Sequence, residues 1–137
     1  MIYLFVSTAV FLMFDQYTKR TVRLYMPDRR ISFAPFLRIH YVHNLNQIYR
    51  RDRARIVLAL IWMTALLSAI TLRHYGGWFQ SPVATIGLGL AFGGAAGNLL
   101  DILRHKYVED FVDLGWWPVF NFADVGIVGG LALAFWR

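Results

Sequence analysis

The sequence has 137 residues, of which 58% are hydrophobic and none is cysteine, and its mean hydropathy is +0.46. This composition excludes an ordinary soluble protein of this size, and the lack of cysteine excludes disulfides, cysteine-based zinc sites and cysteine nucleophiles. A net charge of +6 could suggest nucleic acid, but ten of the 14 basic residues lie between positions 19 and 55, flanked by hydrophobic stretches. We therefore predict a single integral membrane domain over residues 1–137, with no nucleic-acid partner and with anionic phospholipid as the partner of the basic segment.

Four apolar stretches predict a mainly α-helical protein in which four transmembrane helices form a bundle. Residues 2–14 alone are too short for a hydrocarbon core of about 30 Å, so we extend the first helix past Asp15. The predicted spans are residues 2–25, 56–73, 83–103 and 120–136. Glycines at four-residue spacing predict that the third and fourth helices pack closely: Gly89, Gly93 and Gly97 in one, Gly126 and Gly130 in the other.

Between the first two helices the sequence changes character. Apolar and polar side chains alternate over residues 36–43, which indicates a strand, and we predict a small extramembrane β-sheet over residues 31–46 at the bilayer surface. The odd spacing of His40 and His43 places them on opposite faces of a strand, and no third ligand is close in the sequence. We therefore predict neither a metal site nor a cofactor.

Each of the last two spans carries an asparagine followed three residues later by an aspartate: Asn98 with Asp101, and Asn121 with Asp124. Residues i and i+3 share one face of a helix, so each pair points toward a neighbouring helix. A charged side chain at the centre of a span costs about 2.5–3.5 kcal/mol, and an acid retained there is by default a functional hypothesis. On spacing alone, Asp101 and Asp124 form the natural acid pair.

Two further sets of charged residues flank the spans. Asp110 stands among apolar residues of the loop before the fourth helix, and we place it at the mouth of the bundle near Asp124. Its neighbours Glu109 and Asp113 are interpreted as solvated. Asp15 and Lys19, at i and i+4, form either an ion pair on the helix surface or an ion pair that ends the first helix beside the acids and orients them.

Two carboxylates in a poorly hydrated site do not both ionise cheaply, so the pair holds one proton and supplies both an acid and a base. The base takes a proton from water, the water attacks a carbonyl, and the acid polarises that carbonyl and later protonates the leaving amine. This chemistry predicts amide hydrolysis without a covalent intermediate. The alternative is that the acids serve only helix packing and insertion.

Four sequence blocks resemble motifs of the lipoprotein signal peptidases (signal peptidase II). Residues 15–19 (DQYTK) resemble the family's D-Q-x-[ST]-K, and residues 93–101 (GGAAGNLLD) resemble its GGAxGNxxDR. Residues 108–111 (VEDF) are similar to VVDF, and residues 117–124 (WPVFNFAD) to F-P-x-F-N-x-A-D. Members of this family are four-helix membrane aspartyl proteases that cleave the signal peptide of prolipoproteins just before the lipid-modified cysteine.

The resemblance implies a role for each matching residue. Asp110 and Asp124 would be the catalytic pair, and the segment around Asn44 the substrate cradle. The supporting polar shell would comprise Asp15, Asn98, Asp101 and Asn121. If Asp15 and Lys19 form an ion pair that orients the acids, Lys19 belongs to this shell as well. The implied partners are a diacylglyceryl-modified prolipoprotein and globomycin-type inhibitors. The implied location is the bacterial cytoplasmic (inner) membrane, with the active site on the extracytoplasmic side.

The sequence departs from the family pattern at several positions. Ile102 replaces the arginine after the GNxxD aspartate, Lys106 replaces a glycine, Glu109 replaces a valine, and residues 44–49 (NLNQIY) replace N-x-G-x-A-F. These changes leave two other functions open: a non-catalytic lipoprotein- or lipid-binding paralogue, and a small ion or proton transporter. The positive-inside rule also places the basic segment, and with it the acids, in the cytoplasm, opposite to the side that the resemblance implies.

Overall fold

The computed structural model describes residues 1–26, 30–44 and 52–136, and within them the chain forms four helices and three strands. The helices are α1 (Ile2–Tyr25), α2 (Asp52–Tyr75), α3 (Pro82–His105) and α4 (Phe122–Ala134). The strands are β1 (Ile31–Ala34), β2 (Leu37–Asn44) and β3 (Val108–Asp113). The protein is therefore mainly helical with a small sheet, as the sequence predicts.

Within the described residues, α2 and α3 are the helices that are both long and apolar enough to cross a membrane. Each has 24 residues, which corresponds to about 36 Å and exceeds the hydrocarbon core of about 30 Å. Helix α1 has the same length but carries several charges, and α4 is an apolar helix of 13 residues.

Local signals set the ends of α3. The Ser81 hydroxyl accepts a hydrogen bond from the Ala84 amide at 3.0 Å, and Pro82 lies in the first turn, where a missing N–H leaves no helical hydrogen bond unmade. The helix ends at His105, and its C-cap is Lys106, whose φ of +67° lies in the left-handed region. This is the position at which the family pattern has glycine, the residue that adopts this conformation without strain.

Helix α3 lies between α1 and α4 and packs closely on both. A Cβ added at Gly93 would lie 2.7 Å from the Thr8 carbonyl oxygen of α1, and one added at Gly87 would lie 2.6 Å from the Gly130 carbonyl oxygen of α4. Close packing of the third and fourth helices is therefore confirmed.

The glycines of α3 responsible for that packing differ from the predicted ones, whereas Gly130 of α4 is in the contact as predicted and Gly126 instead faces Phe11 of α1. The seam of Gly89, Gly93 and Gly97 contacts α1, whereas Gly87 and Gly94 contact α4. These two are seven residues apart, so they form a second stripe on another face of the helix. Glycine spacing predicts close packing but does not tell which neighbour lies on which face.

The sheet is antiparallel with the strand order β1-β2-β3, and its third strand comes from a part of the chain that the predicted sheet did not include. Residues 31–44 supply β1 and β2, and β3 follows α3. Strand β3 is buried along nearly all its length, so it lacks the alternation that reveals a half-exposed strand. Its register places Asp110 opposite Val42 of β2.

Residues at the start of the fourth predicted span belong to the sheet region rather than to α4. The Phe120 backbone exchanges hydrogen bonds of 2.8 and 3.0 Å with Val112 of β3. Helix α4 therefore begins only after Asn121, beside β3. Val22 of α1 packs with Phe111 and Val112 of β3 in one apolar cluster. These contacts bring the ends of α1 and α4 to the same strand.

Candidate active site

Lys19 lies between two buried carboxylates at the end of the bundle next to the sheet. Its Nζ atom is 2.8 Å from Asp15 Oδ2 and 2.7 Å from Asp101 Oδ2. The three side chains are at most 2% exposed. The interpretation of Asp15 and Lys19 as a surface ion pair is therefore wrong, because α3 covers this face of α1.

Two further donors connect these carboxylates to neighbouring helices. Asp15 Oδ1 accepts a hydrogen bond of 2.9 Å from the Ala123 amide in the first turn of α4. Gln16 Nε2 donates to Asp101 Oδ1 at 3.0 Å. Gln16 was not among the predicted site residues, although its place in the DQYTK block was a signal that could have identified it. The cluster thus joins α1, α3 and α4.

Asn98 connects this charged cluster to the last aspartate. Its Oδ1 atom accepts hydrogen bonds from Lys19 Nζ at 2.9 Å and from Asn121 Nδ2 at 3.0 Å, and its Nδ2 atom donates to Asp124 Oδ1 at 2.8 Å. Because Lys19 can only donate, the orientation of the Asn98 amide is fixed. Its donor end therefore points at Asp124.

Asn121 is the N-cap of α4 and contacts both Asp110 of β3 and Asp124 of α4. Its side chain accepts from the Asp124 amide at 3.0 Å while the Asp124 carboxylate accepts from the Asn121 amide at 3.1 Å, which is a capping box. Its Nδ2 atom also donates to Asp110 Oδ1 at 2.8 Å. One residue therefore orients Asp110 and Asp124 together.

The structure separates the two acid pairs that the sequence left as alternatives. Asp110 and Asp124 both contact Asn121, whereas Asp101 binds Lys19 and Gln16 on the side facing α1. The prediction of Asp101 with Asp124, made on spacing alone, is not supported. The backbone of Asn44 pairs with Val108 in the sheet, but its side chain lies outside the described residues.

Glu109 is not solvated as the sequence suggested. It is 1% exposed, and its Oε1 atom lies 2.6 Å from Arg23 Nη1 and 3.3 Å from His105 Nδ1. Burial raises the pKa of the Glu109 carboxyl, and the positive charge of Arg23 partly opposes this shift. Arg23 and His105 were not predicted either. Asp113 is also partly buried and lies 3.2 Å from Arg38 Nε.

Two apolar grooves approach the acids along different faces of α4. A groove of about 390 Å³ runs between α2, α3 and α4, and Asn98 is in its wall. A second groove, of about 510 Å³, runs along the outer face of α4, and Asp124 is in its wall. The second groove is bordered by Trp116 and Trp117. Together they could hold apolar groups on either side of the contact between Asn98 and Asp124.

A sequence profile of the family described as Signal peptidase (SPase) II matches residues 7–137. The chain belongs to the signal peptidase II family. The lipoprotein signal peptidase of Pelotomaculum thermopropionicum is 34% identical over 136 residues, which cover 98% of this chain and 90% of the relative. The lipoprotein signal peptidase of Geobacter metallireducens is 39% identical over 145 residues, which cover 93% of this chain and 85% of the relative.

Solved structures agree with the architecture. A bacterial membrane enzyme determined by the in meso method at 1.9 Å resolution superposes with a TM-score of 0.78 at 23% identity, covering 93% of this chain and 86% of that chain. A second such structure, at 2.3 Å resolution, gives a TM-score of 0.75 at 22% identity. At these identities the likeness establishes the fold.

The departures from the signal peptidase II pattern fall at different places in the structure. Ile102 is buried and lines the groove between α2, α3 and α4, which makes that groove apolar where the pattern has a charge. Lys106 is the C-cap of α3, and Glu109 lies on the side of β3 that faces Arg23. Residues 46–49 lie outside the described part of the chain.

Proposed function

We propose that Asp110 and Asp124 are the catalytic carboxylates of this signal peptidase II. The chain is an aspartic endopeptidase that removes signal peptides from prolipoproteins. The observation that supports the assignment is the hydrogen bonding of Asn121, which links the two acids from one side chain and the first turn of α4. Asn98 holds Asp124 from the opposite helix.

In this proposal one carboxylate of the pair is ionised and the other is protonated. The ionised acid takes a proton from water, whose oxygen bonds to the carbonyl carbon before the lipidated cysteine. The protonated acid stabilises the developing negative charge on the carbonyl oxygen and then gives its proton to the leaving nitrogen as the C–N bond breaks. The products are a free amine and a carboxylic acid, and the two aspartates have exchanged protonation states.

The remaining polar residues hold this geometry. Lys19 neutralises Asp15 and Asp101 and donates to Asn98, so the position of Asn98 depends on the charged cluster beneath it. We therefore assign Asp101 a supporting role. Asp101→Asn should retain measurable cleavage, whereas Asp110→Asn should not, and equal loss in both variants would contradict this division.

The test of the catalytic pair is cleavage of a purified diacylated prolipoprotein. Asp110→Asn and Asp124→Asn should each lower the rate by about 10²–10⁴-fold, the contribution expected of an acid or base. Asp113→Asn is the matched control, because it lies in the same strand but pairs with Arg38. Full activity in either catalytic variant would overturn the assignment. Thermal unfolding of each variant checks that it is folded.

The groove on the outer face of α4 is proposed to hold the acyl chains of the substrate. The acyl chains are attached to the residue next to the cleaved bond, so they must lie beside a catalytic acid, and Asp124 is in the wall of this groove. Tryptophan side chains at its rim suit the membrane interface. The apolar signal segment is assigned to the other groove, next to Asn98.

Gly129 offers a direct test of the acyl-chain groove. It lines the groove, and a Cβ added there meets no atom within 4 Å. Gly129→Trp should therefore fill the groove without disturbing the bundle and raise KM by at least about 10-fold, whereas Gly129→Ala should not, because only binding surface is lost. An unchanged KM in Gly129→Trp would show that the acyl chains do not bind in this groove. Globomycin, proposed to bind at the same acids, should inhibit cleavage by the parent protein.

We also propose that all four helices cross the bacterial cytoplasmic membrane, with the sheet on the extracytoplasmic side. Asp15 and Lys19 are buried in the bundle, so the lipid-facing side of α1 is apolar and exposes Phe5, Val10 and Met13. Helix α4 spans only about 20 Å by itself, and the interfacial residues Trp117 and Trp136 flank it.

Sidedness is testable because the chain has no cysteine of its own. Ser32→Cys in the exposed part of β1 should react with a membrane-impermeant thiol reagent in cells whose outer barrier is open. Gln80→Cys, in the exposed loop between α2 and α3, should be protected. The opposite labelling pattern would place the acids in the cytoplasm, as the distribution of basic residues favours.

A further inference from the structure

Glu109 is a buried acid that the catalytic mechanism does not use. Its carboxylate lies between the ends of two helices: Arg23 in the last turn of α1, at 2.6 Å, and His105, the last residue of α3, at 3.3 Å. Arg23 Nη1 is also 3.4 Å from His105 Nε2. A charged hydrogen bond between a guanidinium and a carboxylate is short and directional, so this contact fixes position as well as charge.

The backbone of Glu109 belongs to the catalytic network. Its carbonyl oxygen lies 3.2 Å from Asn121 Nδ2, the same atom that donates to Asp110 Oδ1 at 2.8 Å. Its amide donates to Asp101 Oδ2 at 3.4 Å. Successive residues of a strand point to opposite faces, so the side chain of Glu109 anchors one face of β3 while Asp110 projects from the other.

We propose that Glu109 is a positioning residue that, held by Arg23 and His105, sets the place of β3 so that Asp110 meets Asn121. The inference rests on the assignment of Asp110 as a catalytic acid. A displacement of about 1 Å in a reacting group can lower a rate about 10²-fold, so anchoring of the strand affects turnover directly. A valine, the residue at this position in the VVDF pattern that residues 108–111 resemble, would offer no such anchor.

Arg23 and Glu109 differ in how exposed their side chains are to solvent. The two single substitutions therefore have different expected effects on activity. Arg23 is 38% exposed and Glu109 is 1% exposed. Loss of the acid leaves a guanidinium that water can solvate, whereas loss of the arginine leaves a buried carboxylate with His105 as its remaining basic neighbour among the described residues. Arg23→Gln should therefore be the more harmful single substitution, and removal of both charges should recover much of the loss.

The experiment measures kcat and KM on a lipidated precursor for Arg23→Gln, Glu109→Gln and the double variant. We expect kcat to fall about 10- to 100-fold in Arg23→Gln with KM within about twofold of the parent, and to fall less in Glu109→Gln. The double variant should match Glu109→Gln within about threefold, because the two residues act as a unit. Arg20→Gln, an exposed base one turn earlier in α1, is the control and should leave kcat unchanged.

Three results would overturn the inference. They are a kcat of Arg23→Gln within about twofold of the parent, a double variant no more active than Arg23→Gln, and an equal loss in Arg20→Gln. If Arg23→Gln does not fold, Glu109→Gln decides alone, and an unchanged kcat there counts against the proposal. Asp110→Asn separates the two hypotheses. Activity in Asp110→Asn refutes the catalytic assignment, whereas an inactive Asp110→Asn together with an unaffected Glu109→Gln refutes only the positioning role.

Discussion

Replacement of Lys19 by methionine should strongly destabilise the protein. Lys19 is the shared cation of Asp15 and Asp101, at 2.8 and 2.7 Å, and none of the three side chains is more than 2% exposed. Methionine has a similar length and fills the space, but it leaves two buried carboxylates facing each other without a counter-ion. The substitution therefore isolates the effect of charge from the effect of volume.

The expected magnitude follows from the burial of these groups. Breaking one buried ion pair by removing a partner costs about 3–5 kcal/mol, and here one substitution breaks two. For a chain of this size, each kcal/mol shifts the midpoint of thermal unfolding by about 3–5 °C, so loss of one pair alone corresponds to about 10–25 °C, and we expect a decrease of at least about 10 °C. Lys19→Met/Asp101→Asn should recover part of the decrease, because one of the two uncompensated charges is removed with it.

The assay is thermal unfolding of the purified protein in detergent, followed by circular dichroism. Arg20→Met is the control, because Arg20 is the next residue of α1 and is exposed. Its unfolding midpoint should stay within about 2 °C of the parent, as expected for a surface substitution. If the unfolding midpoint of Lys19→Met is no lower than that of Arg20→Met, the ion pairs of Lys19 with Asp15 and Asp101 do not stabilise the bundle.

Two further predictions concern the segment that joins α3 to β3. Lys106→Gly should raise the free energy of unfolding by about 1 kcal/mol, measured by thermal unfolding, because the φ of +67° at this helix end strains any residue with a Cβ; a lower stability would refute this. Glu109 has a folded-state pKa above the ordinary 4.5, so its contribution to stability is complete below about pH 4.5 and is lost as the pH rises through the folded pKa. The midpoint of the parent minus that of Glu109→Gln should therefore decrease between about pH 4.5 and pH 8, and an increase over that range would contradict the prediction.

The sequence predicted most of the helical framework because each helix carries a strong local signal. Helix α1 covers residues 2–25, the range expected once the short apolar stretch is extended past Asp15. The spacing of Asn98 and Asn121 relative to the following aspartates also predicted that polar side chains would meet inside the bundle. Those signals are local, since a helical repeat fixes which residues share a face.

The sequence did not predict which helix packs against each face of α3. The i, i+3 rule places Asn98 and Asp101 on one side of α3, but it does not tell that Asp101 faces Lys19 of α1 while Asn98 reaches Asp124 of α4. Selecting Asp110 over Asp101 as the partner of Asp124 required the family resemblance. Periodicity alone favoured Asp101, whose contacts in the structure are with Lys19 and Gln16.

The environment of Glu109 in β3 shows the same limit. An acid beside another acid in a predicted loop is ordinarily solvated, and only tertiary structure brings Arg23 and His105, from the ends of two different helices, to its carboxylate. Strand β3 escaped the predicted sheet for a related reason. It is buried on both faces, so its sequence lacks the alternation that marked β2.

The capping box of α4 has a consequence for how the enzyme loses activity. Asn121, whose hydrogen bonds with Asp124 begin the helix, also donates to Asp110, so the start of α4 positions both acids. Helix ends open more easily than helix centres, and the centre of α4 is held against α3 by the contact of Gly130 with Gly87. With Asp110 and Asp124 as the proposed catalytic pair, unwinding of a single turn would therefore abolish cleavage in a protein that is otherwise folded. Heat inactivation would then precede unfolding and reverse on cooling, and a molecule that binds the unwound turn would inhibit without entering either groove.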